Sequence, residues 1–209
     1  MKIKLMLAAV ATMMASTAMA QSAFEGFYAQ AGIGYERATT SFSSGSVAGF
    51  GYTVTGTTPD SFAGTIAAGY NFAVTPNFLL GFGAEYSPIA GSKGNFTLTV
   101  PGILSTTEQN NKKDSYNIFM SLSIVIDKDK SAYTKVGYTG ANISESDGDN
   151  TSLSGYSLGV GYKQIISGGL FGFGEVNYAS YGKARISSEA SGSFSSKSTN
   201  VIVGIGYKF

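Results

Sequence analysis

The chain has no cysteine, no histidine and no tryptophan, and only four prolines in 209 residues. Without Cys there is neither a disulfide scaffold nor a thiol nucleophile, and without His the usual general base near neutral pH is missing. Ser-His-Asp catalysis is therefore impossible, and the expectation is a protein that is not an enzyme, with no catalytic, metal or cofactor residues. Charge is sparse as well. Fourteen Lys and Arg face 13 Asp and Glu, and no run of like charge marks a nucleic-acid-binding tail. Beyond the first twenty residues no stretch of about 18 apolar residues occurs, which excludes a helical membrane span.

Glycine and aromatics are abundant instead. Gly supplies 28 residues, roughly twice its ordinary share of about 7%, and Tyr and Phe supply 13 and 14. So much Gly disfavours helices, each costing about 1 kcal/mol against Ala. The N-terminus has a different character: Lys2 and Lys4 precede an apolar run from Leu5 to Met14, small residues follow, and Ala18-Met19-Ala20 stands before Gln21. A charged start, a short apolar core and an A-x-A end predict a secretory signal peptide over residues 1–20, cleaved between Ala20 and Gln21. Its removal takes two basic groups, leaving 12 against 13 acidic ones in a single domain over residues 21–209.

Eight segments alternate between apolar residues and Gly, polar or charged ones: 26–37, 62–72, 78–88, 116–126, 132–142, 153–164, 170–181 and 199–209. Period two is the strand signal, and about 9 to 11 residues is what a tilted strand needs to cross a bilayer. The connections 73–77, 127–131 and 165–169 are short, while 38–61, 89–115, 143–152 and 182–198 are longer. Short turns on one side and long loops on the other predict a closed, all-β, eight-stranded antiparallel transmembrane barrel with periplasmic turns and extracellular loops. Aromatics of the apolar parity gather at two heights, as lipid interfaces require. Tyr35, Phe62, Tyr86, Tyr116, Tyr138, Tyr156 and Tyr178 form the outer band, and Phe27, Tyr70, Phe72, Phe78, Tyr162, Tyr207 and Phe209 the inner one. A soluble β-sandwich or lipocalin-like barrel would alternate too; the paired bands decide against it.

The other parity carries Gln30, Asn71, Asn117, Ser121, Ser123, Asn177 and Asn200 together with six charges, Glu36, Glu85, Lys135, Lys163, Glu175 and Lys208. Three carboxylates against three ammonium groups predict a lumen ion-pair network that plugs the barrel, with Glu175 as its central acceptor, because an unpaired buried charge costs several kcal/mol. Glu36 and Glu85 could in principle serve as a catalytic carboxylate pair, but Glu inside such a barrel is more often an ion-pair partner. Asp147-Gly148-Asp149-Asn150 lacks the Gly and Glu that a calcium loop needs and reads as a solvated turn.

The C-terminal run from Ile202 to Phe209 resembles the assembly signal of bacterial outer-membrane barrels, with Gly204, Tyr207 and Phe209 at the matching places and Ile202 where a polar residue is usual. Over residues 21–209 the pattern resembles the small eight-stranded surface-antigen barrels, the opacity-protein and OmpX-like group that is also similar to the barrel domain of OmpA. That resemblance implies a bacterial outer-membrane location, contact with outer-membrane lipid and the assembly machinery, and a monomer without enzymatic activity. It also implies that loops 38–61 and 89–115 meet host or envelope ligands. The alternative is a narrow porin-like channel, and the lumen discriminates the two, because eight strands leave an interior that side chains can just fill.

Overall fold

The computed structural model describes residues 22–42, 45–47, 50–56, 60–89, 94–100, 102, 104–145, 150–182, 184–185 and 193–209. The proposed signal peptide with Ala18, Ala20 and Gln21, and the segment Asp147–Asp149, lie outside them.

Twelve strands form: β1 (Gly26–Phe42), β2 (Gly45–Val47), β3 (Phe50–Gly56), β4 (Asp60–Thr75), β5 (Phe78–Ser87), β6 (Gly94–Val100), β7 (Leu104–Asp127), β8 (Lys130–Glu145), β9 (Asn150–Ser167), β10 (Leu170–Tyr181), β11 (Ala184–Arg185) and β12 (Ser193–Lys208). Eight of them contain the alternating segments and pair antiparallel in the order β1-β4-β5-β7-β8-β9-β10-β12. β12 then returns to β1 from Tyr28↔Lys208 to Phe42↔Phe194, which closes the ring. Closure leaves no unpaired edge in the bilayer, where an unsatisfied backbone group costs several kcal/mol.

The short connections are two-residue turns at 76–77, 128–129 and 168–169. Gly168 takes a φ of +56° in the last, a conformation that favours Gly. In the first, Phe78 N–H donates to Thr75 Oγ1 at 3.1 Å.

Alternation sorts the ring into two faces. Outward lie Ile33, Ile66, Ile118, Leu158, Val176 and Val203, all exposed, between the two aromatic bands. Neighbouring rings brace each other within the bands: Tyr35 and Phe62 stand edge-on at 6.1 Å, Phe27 and Tyr70 at 4.7 Å. Inward lie the buried residues, so the core of this protein is its lumen.

The connections 38–61 and 89–115, loops by their length, carry sheet structure, and Asn95 to Val100 lies on a strand that packs on its own hairpin, one of the two readings its sequence allows. β6 pairs with β7 in its own hairpin, Gly94↔Asn110 to Val100↔Leu104, and also with β3 of the preceding connection, Thr53↔Thr99 to Gly56↔Phe96. β7 thus runs for 24 residues where β5 stops after 10. A bulge between Lys112 and Asp114 shifts the parity of β7 as it leaves the bilayer. Above it Thr53, Thr97, Thr99, Ser105 and Thr107 share the outward face, and Val54, Val100 and Thr106 the inward one. Thr97 and Thr107 join hydroxyls at 2.9 Å. The pattern inverts because the outer solvent changes from lipid to water.

Candidate functional site

Among the described residues, the lumen gathers buried charge. β8 delivers Lys135, β10 delivers Glu175 and Asn177, and β5 delivers Glu85, each at an inward position of its strand. Lys135 Nζ lies 2.6 Å from Glu175 Oε1 and 3.0 Å from Glu85 Oε2, with about 1% of its side chain exposed. Glu175 also accepts from Tyr133 Oη at 2.7 Å and from Asn177 Nδ2 at 2.6 Å. Asn177 reaches on to Asn200 Oδ1 at 2.9 Å. The contacts of Lys135 with Glu175 and Glu85, and that of Tyr133 with Glu175, cross between non-adjacent strands at mid-height. Charges so placed hold together only when every lone pair and proton is matched, since desolvation otherwise exceeds their attraction.

The six charged residues do not form one network. Glu85, Lys135 and Glu175 come together. Lys163 stands apart: its Nζ lies over the rings of Tyr28 at 3.9 Å, Tyr133 at 5.0 Å and Phe171 at 5.1 Å. Among the described residues no carboxylate lies within ion-pair distance of it. Ring faces attract an ammonium electrostatically, by up to about 2 kcal/mol where water is excluded. Lys208 is half-buried at the periplasmic end, where its backbone N–H donates to the Gly169 carbonyl at 2.8 Å, and Glu36 is buried one residue beyond Tyr35 at the outer rim.

Sequence reasoning also missed the apolar half of the lumen. Tyr28, Phe171, Phe173 and Ile202 pack with Ala63 as one buried cluster, and Leu79 and Phe119 are buried as well. All have inward parity, so the signal was present, but polar residues of that parity drew the attention. Glycine makes the space. A Cβ on Gly204 would lie 2.6 Å from Phe173 Cε1 and run into the Ala31 carbonyl oxygen, and one on Gly161 would run into the Tyr133 ring. Gly204, read as part of an assembly signal, thus has a packing role of its own. Tyr207 and Phe209, its companions, face outward with ring centroids 5.3 Å apart. Below the cluster Phe24 is buried under the ring, its carbonyl accepting from Asn71 Nδ2 at 2.9 Å.

Outside the bilayer, Arg37 and Asp60 meet above the outer aromatics through two hydrogen bonds of 2.7 and 2.8 Å. The bonds from Arg37 hold the exposed Asp60 carboxyl below its usual range. No group of three His, Cys, Asp or Glu able to hold a metal occurs among the described residues.

The antiparallel barrel has counterparts among known proteins. The family model of the outer membrane protein beta-barrel domain matches residues 6–209. The chain belongs to that family. It is therefore a protein of the bacterial outer membrane. No curated protein matches the sequence. Among solved structures, this outer-membrane barrel is similar to OprG of Pseudomonas aeruginosa, at 14% identity and a TM-score of 0.56, over 88% of this chain and 96% of that one. Neisserial surface protein A matches at 16% identity and a TM-score of 0.53, over 88% and 98%. The outer membrane protease OmpT of Escherichia coli matches at 11% identity and a TM-score of 0.51, over 93% and 100%. At such identities the likeness is one of fold. The fold alone does not fix an activity, since a protease is among the proteins that share it.

Proposed function

We propose that this barrel is a non-enzymatic surface protein that displays its extracellular strands to host or envelope ligands, as an adhesin or an envelope-stabilising antigen. The reading is carried by the ordered sheet beyond the outer girdle, where β3, β6 and the upper part of β7 continue the wall and present Thr53, Thr97, Thr99, Ser105 and Thr107 outward. Rigid scaffolds with decorated outer connections are built for contact, since binding residues concentrate on such segments. The crossed lumen speaks against the rival reading of a narrow solute channel. Export belongs to the same proposal: residues 1–20 are removed before Gln21, and the barrel works as a monomer inserted by the outer-membrane assembly machinery, which reads Tyr207 and Phe209. Deleting Phe209 is expected to lower insertion in cells while leaving refolding into detergent unchanged.

The display reading is tested by replacing residues 94–110, the β6–β7 hairpin tip, with a short turn. Cells carrying the variant should keep a heat-modifiable barrel in the outer membrane and lose binding to host cells or matrix components. Undiminished binding by the hairpin-deleted barrel would remove the proposal.

A further inference from the structure

Above the outer girdle the wall carries a third belt, made of hydroxyls. Thr39 lies four residues beyond Tyr35 on β1, Ser154 and Ser180 lie two beyond Tyr156 and Tyr178 on β9 and β10, and Thr199 pairs with Arg37 and Tyr178. All four keep the outward parity, and Thr39, Ser154 and Thr199 are exposed. On strands tilted by about 45° the belt begins about 5–10 Å above the girdle, in a headgroup layer about 5–8 Å deep. The same face continues up β6 and β7, where Thr97 and Thr107 join hydroxyls at 2.9 Å. Thr107 stands nine residues beyond Tyr116 on β7, which is roughly 20 Å higher. A phospholipid headgroup does not reach so far.

The belt is polar without being charged. Among the described residues its charges are Arg37, Asp60, Asp114 and Lys197, which cancel, and Arg37 already holds Asp60. That leaves no surplus of Arg and Lys among them to recognise a phosphate. A hydroxyl donates and accepts alike, and the pair of Thr97 and Thr107 spends one proton on itself and keeps one for a ligand. Such groups match the hydroxyls of an uncharged sugar. Beyond the inner girdle the polar groups are different, with residues 127–130 four charges in a row, so the two ends of the barrel meet layers of different chemistry. The belt looks sideways along the membrane and is continuous below with the lipid-facing wall. A glycan borne by another cell would meet the strand ends first, whereas the lipids around the barrel bring their headgroups to the belt.

We propose that this belt is a docking surface for the uncharged sugar headgroups of glycolipids in the surrounding outer leaflet. The inference rests on the surface-contact reading above and names the partner of its envelope-stabilising form.

The test compares barrels refolded into two kinds of neutral vesicle, phosphatidylcholine alone and phosphatidylcholine with digalactosyl diacylglycerol. With the galactolipid the urea midpoint of the parent should rise by roughly 0.5 M, the worth of about one net hydrogen bond. Most of that rise should vanish in the triple variant Thr39→Val, Ser154→Ala, Thr199→Val, and if the triple variant does not fold, Thr199→Val alone should lose part of it. Equal midpoints of the parent in the two vesicles would overturn the belt and leave the display reading to its own hairpin test. A rise kept in full by the variants would be a property of the bilayer and would overturn the belt as well. Free digalactose that reproduced the rise over phosphatidylcholine vesicles would make the ligand a soluble glycan and overturn the lipid source.

Discussion

Two buried lysines, Lys135 and Lys163, sit in one lumen with different partners. Lys135 has two carboxylates within 3.0 Å beside the Phe119 ring at 5.0 Å, whereas Lys163 has three ring faces within 5.1 Å and, among the described residues, no carboxylate in ion-pair reach. Carboxylates match a charge fully but become costly themselves when the partner is lost. Rings match it partly and lose little when left alone, because without the cation they remain apolar packing. The outer half of the lumen is thus a set of mutually dependent charges, and the inner half an aromatic core that tolerates one.

Experiments that break each half should differ in size accordingly. Gly204→Val should have the largest effect, because its side chain would enter Phe173 and the backbone of β1. No folded barrel is expected on refolding into detergent, measured as loss of heat-modifiable mobility; normal refolding with a defect only in cells would assign Gly204 to the assembly signal instead.

Glu175→Ala comes next. It leaves Lys135 with Glu85 alone, takes away the Tyr133 hydroxyl's acceptor and leaves Asn177 with Asn200 alone, so urea unfolding should show a loss of about 3 kcal/mol. Pairing it with Lys135→Met should recover part of that loss, and strict additivity of the two changes would deny the coupling.

Lys163→Met keeps the length of the side chain and removes only the charge. The expected change is about 1 kcal/mol or less, in either direction, and a loss as large as that of Glu175→Ala would mean that Lys163 neutralises a carboxylate after all.

Arg37→Ala stands last. Its bridge to Asp60 is exposed on both sides, where ion pairs are worth little. The carboxyl of Asp60 is held low, so any stabilisation from it exists above the unfolded carboxylate pKa and fades as pH falls through the lower folded value. A pH titration of the unfolding midpoint should put the variant slightly below the parent above the unfolded carboxylate pKa and bring the two together as pH falls through the lower folded value; a gap that widened at low pH would contradict the bridge.

Much of this was legible in the sequence. The eight strands, the turn side and both aromatic bands follow from period two and from connection length, because a bilayer imposes one apolar height on every strand. Parity also placed Glu85, Lys135 and Glu175 inside. What parity cannot give is which inward residues meet across the ring, since strand stagger sets that and is not written in any one segment. Parity therefore groups Lys163 with the carboxylates, whereas Tyr133 and Phe171, two residues along the neighbouring strands, and Tyr28, from a non-adjacent strand, lie against it. The pairing of β3 with β6 was hidden for the same reason: strand partners separated by a whole barrel hairpin leave no local pattern.

In the proposed function the lumen is shut by the contacts reaching across it, and the extracellular sheet meets the ligands. Planar-bilayer recording from the refolded protein tests it most directly. The closed lumen predicts a baseline without steady channel openings in the parent protein, and openings that appear only when Glu175 and Lys135 are both replaced by small residues. Steady single channels of sizeable conductance in the parent would contradict the account and make the barrel a pore.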